Sequence, residues 1–160
     1  MRKRGAGVVI EESVEVRRPV EEVFDYCTDI TREPEWNPHT HYAEKLTDGP
    51  VGEGTRFKAE WVAGDPMIVE YVAVDRPRSW LTTGRSRRLH TTGEGHVVPT
   101  EDGARLDIRM VLEPRGFASV ISPVLGRLMR GRERENLRAI KAALESSRTP
   151  QPPVVGEAVS

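Results

Sequence analysis

The chain has 160 residues, and its 24 basic and 25 acidic side chains give a formal net charge of -1. This length suits one domain with a sizeable core, and the charge balance excludes an overall field that would draw the protein onto nucleic acid or an anionic membrane. No apolar run approaches the roughly 20 residues of a membrane span, so we expect a cytoplasmic protein. The single cysteine, Cys27, excludes an internal disulfide and a cysteine-based metal site.

The first part of the chain predicts a strand followed by short helices. Apolar and charged residues alternate from residue 8 to residue 18, as they do in a half-buried strand. Pro19, followed by acidic residues, predicts the start of a short helix. Residues 29–38 contain two prolines and predict one more helical turn, after which the chain is expected to be extended around residues 42–47.

The middle of the chain predicts consecutive hairpins, because alternating segments are separated by glycine- and proline-rich turns. The predicted strands are residues 55–62, 67–74, 79–84, 88–98 and 104–113. The glycine-rich run at residues 49–54 lacks the lysine of a phosphate-binding loop and leads into a strand, so it predicts a turn. An antiparallel meander follows from this order.

The last part of the chain changes to a helical period between residues 117 and 146, with Pro123 and Gly131 expected to kink or split the helix. Residues 1–7 are expected to be flexible and residues 147–160 disordered, which leaves one domain at residues 8–146. A strongly twisted seven-stranded sheet curls, and one helix in its concavity cannot fill the whole curve. The order of elements therefore predicts a space between sheet and helix.

Several segments carry a family resemblance. The elements PVEEVFDYCTD, PEWNP, GPVGEGT, VDRPRSW and VVPTEDGARL, followed by a terminal helix, resemble the polyketide cyclase/dehydrase branch of the START-like (SRPBCC) superfamily over about residues 8–146. The resemblance implies an α+β helix-grip fold with a deep, mainly apolar cavity and no cofactor. Its members include ring-cyclising enzymes and lipid or quinone carriers, and the fold does not choose among them.

The candidate ligand-binding residues are those that a concave sheet and its helix would turn toward a cavity. Core packing is the alternative for each of the rings. The predicted contacts are Trp36, Phe57, Trp61, Tyr71, Trp80, Met110 and Leu125.

Three residues are candidates for proton transfer. Glu12 falls in the apolar register of the first strand, where an unpaired carboxylate is costly, although a frayed strand end or an arginine partner would also explain it. Tyr71 offers a hydroxyl group and His41 an imidazole. His39 and His41 point the same way on a strand and could hold a metal, but the sequence offers no third ligand, so no metal site is predicted.

Strand register decides which other polar residues face inward. In the last hairpin a four-residue loop places Val97 opposite Leu106, which turns Leu106, Ile108, Met110 and Leu112 inward and His90, Glu94 and His96 outward. Pairing Trp61 with Ile68 would turn Glu70 inward. Pairing it with Val69 would bury Val69, Tyr71 and Ala73 and set Glu70 opposite Glu60, and this second register gives the cleaner apolar face.

Three functions remain open from the sequence. The leading hypothesis is a protein that encloses a hydrophobic, lipid-like or ring-containing molecule, with a homodimer as the assembly to test. The alternative is a cyclase, aromatase or dehydratase that uses the same cavity. The third is an interaction module built on the last helix, whose segment 126–142 carries an excess of four positive charges; the lack of interleaved aromatic residues argues against nucleic acid. The basic residues are Arg127, Arg130, Arg132, Arg134, Arg138 and Lys141.

Overall fold

The computed structural model describes residues 7–61, 65–116 and 122–146. Strand β1 is followed by helix α1, a 3-10 helix, six further strands and helix α2. Their bounds are β1 (Val8–Val16), α1 (Val20–Thr28), the 3-10 helix (Ile30–Glu35), β2 (Thr40–Lys45), β3 (Arg56–Trp61), β4 (Met67–Asp75), β5 (Ser79–Arg85), β6 (Leu89–Thr100), β7 (Gly103–Pro114) and α2 (Ser122–Ser146).

The strands form one antiparallel sheet in the order β1-β7-β6-β5-β4-β3-β2. The predicted architecture is therefore confirmed: a curved seven-stranded sheet packs against a long C-terminal helix, and two short helices follow the first strand. Gly131 does not split the last helix, because α2 runs without a break from Ser122 to Ser146. A short leading piece would fall on residues 117–121, which lie outside the described residues, and the kink stays a prediction. Pro123 lies in the first turn of α2, where a missing N–H donor costs nothing. The predicted tail, residues 147–160, lies outside the described residues.

The register of the last hairpin is as predicted. Val97 pairs with Leu106 and Glu94 with Arg109, whose side chains form an ion pair at 3.5 Å between Oε1 and Nη1. His96 lies opposite Asp107, but Arg105 is the residue that binds the Asp107 carboxylate, at 2.9 Å. The outward direction of these polar residues leaves the apolar positions of β7 facing α2.

The register between β3 and β4 differs from both predicted alternatives. Phe57 pairs with Val69, and Arg56 pairs with Glu70. Neither predicted partner of Trp61 is correct, because the pairing with β4 ends at Ala59, which lies opposite Met67. Glu70 does face outward, but it lies opposite Arg56 rather than Glu60, which replaces a predicted repulsion with an attraction.

A bulge in β4 changes one predicted core position. The register shifts between Tyr71 and Ala73, so that Val74 pairs with Trp80. Ala73 is consequently exposed rather than buried, and Val74 packs against the core in its place. A β-bulge of this kind inserts one residue and reverses the faces of those that follow it, and the alternating pattern gives no sign of it.

Helix α2 crosses the concave face beside the edge strand β1, and it also binds the free edge of that strand. Lys141 Nζ donates to the carbonyl of Glu15 at 2.7 Å, and the backbone N–H of Arg17 donates to Glu145 Oε1 at 3.0 Å. An edge strand exposes unpaired backbone groups that can template aggregation. Part of the basic surface of α2 is thus used to cover this edge.

Gly95 allows close packing between β6 and β5, which gives a prediction about stability. A Cβ atom at Gly95 would lie 2.1 Å from Cζ2 of the Trp80 indole, whereas one at Gly52 would meet nothing within 4 Å. We expect Gly95→Ala to lower the free energy of unfolding by about 1–3 kcal/mol, since the indole must move. Gly52→Ala should change it by less than about 0.5 kcal/mol. Urea denaturation checks both, and equal stabilities would contradict the described packing.

Candidate functional site

Among the described residues, the buried apolar side chains form two clusters along the length of α2. The larger cluster includes Leu137, Ile140 and Leu144 of α2, and the smaller one brings Met129 against Ile10 and its neighbours. A continuous core would be expected beneath a single amphipathic helix. The division marks the place where apolar packing between sheet and helix is interrupted.

Two glutamates occupy the interruption. On β1, Glu12 lies between Ile10 of the smaller cluster and Val14, which packs on the larger one. On α2, Glu133 lies four residues after Met129 and four before Leu137, which places it on the same helix face. Both carboxyl groups therefore replace apolar side chains where core residues would otherwise continue.

The sheet beneath the interruption carries little side-chain volume. Gly93 and Gly95 of β6 lie opposite Met110 and Ile108 of β7, and the side chain of Thr82 lies next to Gly93. Gly93, Thr82, Ile108 and Met110 are only partly buried, although the sheet register turns them toward α2. These inward positions therefore keep solvent-accessible surface that the described side chains do not cover.

Glu133 is a largely buried carboxyl group without a basic partner among the groups that shift its pKa. Its pKa is raised to about 7: burial is the largest cause, a hydrogen bond with Asn136 opposes it, and the negative charges of Glu33 and Glu12 act in the same direction as burial. Desolvation disfavours the charged form of a carboxyl group, and nearby negative charges act in the same direction. Glu133 can therefore gain or lose a proton near neutral pH.

Glu12 has the arginine partner that the sequence left as one explanation. Its side chain is 17% exposed, and Arg134 Nε lies 2.8 Å from Glu12 Oε1. The Arg134 side chain is 63% exposed, so the guanidinium group reaches the carboxylate from the solvent side of α2. The pair lies at the rim of the interruption and connects the two elements that flank it.

A third carboxyl group, that of Glu33, holds the 3-10 helix against β2 and β3, at the edge of the sheet far from β1. Its Oε1 atom accepts hydrogen bonds from Asn37 Nδ2 at 2.8 Å, Thr40 Oγ1 at 2.9 Å and Trp61 Nε1 at 2.9 Å. Three donors on one oxygen fix the orientation of the Trp61 indole ring. Trp61 is partly buried at the end of β3, and this bond aligns it with the 3-10 helix.

Trp36, the residue after the 3-10 helix, has an unsatisfied donor. Its indole nitrogen Nε1 is buried and has no hydrogen-bond partner in the part of the chain that the structure describes. The ring packs partly buried against the larger core cluster. A buried donor without an acceptor costs free energy, so an oxygen atom brought by another molecule would be favourable here.

The other predicted aromatic contacts belong to the core. Phe57 and Tyr71 meet edge to face with ring centroids 6.0 Å apart, and Trp80 meets Phe24 in the same way at 5.4 Å. All four are buried in the larger cluster. This packing explains their burial without a ligand, while Trp36, Trp61, Met110 and Leu125 keep partly exposed surface.

The three predicted proton-transfer residues are not brought together. The Tyr71 hydroxyl donates to the carbonyl of Thr28 at 2.7 Å, and burial raises its pKa well above the usual value. His41 is exposed at an irregularity of β2, the strand at the far edge of the sheet from β1. Only Glu12 lies at the interruption of the core, and the catalytic roles of all three stay predictions.

Two further side chains have ordinary structural explanations. Burial raises the pKa of the Cys27 thiol to about 12, which keeps it protonated while it packs against the core. Among the described residues, no group of three or more histidine, cysteine, aspartate or glutamate side chains is arranged to hold a metal ion.

Glu133 is the site residue that the sequence analysis missed. In the sequence, Glu133 stands out only as one of the acidic residues that offset the basic charge of α2. The signal was its position, because Met129, Glu133, Leu137 and Leu144 follow helical spacing on one face. A glutamate in the apolar stripe of a helix is as unusual as Glu12 in the apolar register of β1.

A depression open to solvent lies over β1, β6 and β7, and most of its lining residues face away from α2. Its walls are Glu11, Glu12, Ser13, Glu94, His96, Asp107, Ile108 and Arg109. Arg109 forms ion pairs there with Glu11 and Glu94. Exposed pairs of this kind contribute little free energy.

Residues 7–145 match the family described as polyketide cyclase / dehydrase and lipid transport. The match covers most of the chain, and the chain belongs to this family. The described part of the chain contains no helix that is long and apolar enough to cross a membrane. No curated protein matches the sequence.

Solved structures share the fold at low sequence identity. A START superfamily protein from Mycobacterium smegmatis is 15% identical with a TM-score of 0.73, over 88% of this chain and 98% of that one. The Zhui aromatase/cyclase from Streptomyces sp. R1128 is 18% identical with a TM-score of 0.69, over 88% and 94%.

A two-domain protein is similar as well. The di-domain ARO/CYC StfQ from the steffimycin biosynthetic pathway is 19% identical with a TM-score of 0.71, and the match covers 89% of this chain. The chain spans about half of that protein, 52% of its length. At these identities the structural likenesses concern the fold.

The buried carboxyl group gives a prediction about pH. The pKa of Glu133 is raised from 4.5 to about 7, so the folded state binds more protons than the unfolded state between these values. The stability that the protonated group provides is complete below the lower value and is lost as the pH rises through the upper one. We expect Glu133→Gln to raise the free energy of unfolding at pH 8 by roughly 2 kcal/mol, with little change at pH 4.5.

Urea denaturation at several pH values checks this expectation. Glu135→Gln is the matched control, because Glu135 lies on the same helix but is exposed. The control should follow the wild-type pH dependence. If Glu133→Gln followed it too, the carboxyl group would not be buried as described.

Proposed function

We propose that this protein binds a largely apolar small molecule between the concave face of its sheet and α2. The observation that carries the proposal is the division of the core, with partly buried inward residues around Gly93 and Ile108 where packing should be continuous. Burying apolar ligand surface there contributes about 25 cal/mol per Å² before the costs of association. Membership of a family described as including lipid transport supports the same proposal.

Polar groups at the interruption would orient the ligand. The carboxyl group of Glu133 and the Trp36 indole nitrogen are buried groups that can exchange hydrogen bonds with it. Trp61, held by Glu33, and Met110 would supply apolar contact surface. A few placed polar groups in an apolar surround are typical of small-molecule sites.

Binding of the neutral fluorophore N-phenyl-1-naphthylamine tests the proposal. Ile108 faces the space, and Val111 on the same strand faces the opposite side of the sheet. We expect Ile108→Trp to weaken fluorophore binding at least about tenfold, because the larger side chain occupies the ligand volume. Val111→Trp should leave the affinity within about twofold.

Two results would contradict the proposal. One is wild-type protein that does not bind the fluorophore at all. The other is Ile108→Trp protein that loses several kcal/mol of stability in urea, as expected for insertion into a solid core. Native mass spectrometry of freshly purified wild-type protein supplements the titration, since a co-purified apolar molecule would supply the natural ligand for the same assay.

An enzyme of cyclase, aromatase or dehydratase type is the second candidate, and Glu133 is the observation that favours it. General acid–base catalysis is most effective when the pKa of the group lies near the working pH, and that of Glu133 is about 7. Glu12 lies at the same interruption, whereas Tyr71 and His41 lie elsewhere. The names of two similar structures contain aromatase/cyclase or ARO/CYC, which is compatible with such chemistry here.

Tyr71→Phe distinguishes a structural role of the hydroxyl from a role at the ligand. We expect the variant to lose about 1 kcal/mol of unfolding free energy, because the bond to the Thr28 carbonyl is removed. Fluorophore affinity should not change. Loss of binding with unchanged stability would instead place the hydroxyl at the ligand.

A cytoplasmic location and a possible homodimer stay predictions from the sequence. Use of α2 as an interaction module is weakened because Arg134 and Lys141 contact β1 of the same chain. Size-exclusion chromatography with light scattering would decide the oligomeric state.

A further inference from the structure

We infer that the site selects its ligand by charge: it accepts an apolar molecule whose buried polar group is uncharged or cationic, and it rejects one that ends in a carboxylate. Alcohols, phenols, ketones and amines belong to the accepted class, and free fatty acids to the rejected one. The inference rests on the proposed function, because it names the chemistry of the molecule bound there.

Two carboxyl groups lie at the interruption of the core, and a third acts on one of them through its charge. Glu12 comes from β1, Glu33 from the 3-10 helix and Glu133 from α2, and the charges of Glu12 and Glu33 both act on Glu133. The inward positions of β1, β6 and β7 carry no lysine, arginine or histidine. Apart from Arg134, which is paired with Glu12 at the rim, the charged groups described at the interruption are carboxyl groups.

The three carboxyl groups are not equally available to a ligand. Arg134 is paired with Glu12 at 2.8 Å, and one oxygen of Glu33 holds three donors. The hydrogen-bond partner that shifts the pKa of Glu133 is Asn136, a neutral group. A carboxylate brought next to Glu133 would repel it in a poorly solvated place, or one of the two would have to take up a proton. An ammonium group would be attracted, and a hydroxyl group would donate to Glu133 without a charge conflict.

The indole nitrogen of Trp36 provides an independent sign that a polar atom belongs beside the larger core cluster, next to the 3-10 helix. It is buried and lacks an acceptor among the described residues. Trp36 follows Glu33 by three residues, and its backbone N–H donates to the Glu33 carbonyl at 3.1 Å. A neutral oxygen on the ligand would satisfy the indole without adding negative charge beside Glu33.

A matched set of three molecules tests the inference. 1-Dodecanol, dodecylamine and dodecanoic acid share one alkyl chain, and each displaces N-phenyl-1-naphthylamine from wild-type protein at pH 8 if it binds. We expect the acid to bind at least about tenfold more weakly than both the alcohol and the amine. Glu133→Gln should narrow the gap between acid and alcohol several-fold, while Glu135→Gln should keep it.

The outcomes separate the inference from the proposed function. Equal binding of alcohol and acid would overturn charge selection and leave the apolar site in place. Equally weak binding of acid and amine would also overturn it, since the site would then reject either charge rather than negative charge. If the fluorophore and the alcohol both fail to bind, the proposed function and the inference fall together.

Discussion

The structure depends on how one helix can cover the concave face of a seven-stranded sheet. A helix with its side chains is about 10–12 Å wide, whereas neighbouring strands are spaced about 4.8 Å apart, so a single helix cannot contact every strand. In this protein α2 packs beside the edge strand β1, and α1 and the 3-10 helix close other parts of the same face. Part of the concave face therefore lies outside these contacts, and the residues on that part decide its chemistry.

Burying Glu133 in the apolar stripe of α2 links stability to function. A leucine there would join the two clusters, remove the desolvation cost and give a more stable protein at neutral pH. The chain instead keeps a carboxyl group whose pKa lies near 7. Sites that serve a ligand or a reaction commonly carry such costs, because groups that suit the bound molecule do not suit the empty core.

The remaining polar contacts hold the boundaries of the site in place. Glu33 fixes Trp61 and the segment after the 3-10 helix through three hydrogen bonds, and the Tyr71 hydroxyl joins β4 to the end of α1. Arg134 and Lys141 attach α2 to β1. These contacts fix the elements relative to one another, so the interior does not have to be filled for the fold to persist.

The sequence determined the order of elements, the antiparallel meander and the register of β6 with β7, because alternation, turn residues and helical period are local properties. It also showed that Glu12 occupies an apolar register. Only the tertiary structure decided the register of β3 with β4 and the bulge in β4, since loop length and one inserted residue reverse which face is buried. It alone placed Glu133, Glu12 and Glu33 together, because each lies on a different element and their mutual effect on a proton depends on distances through space that no periodicity encodes.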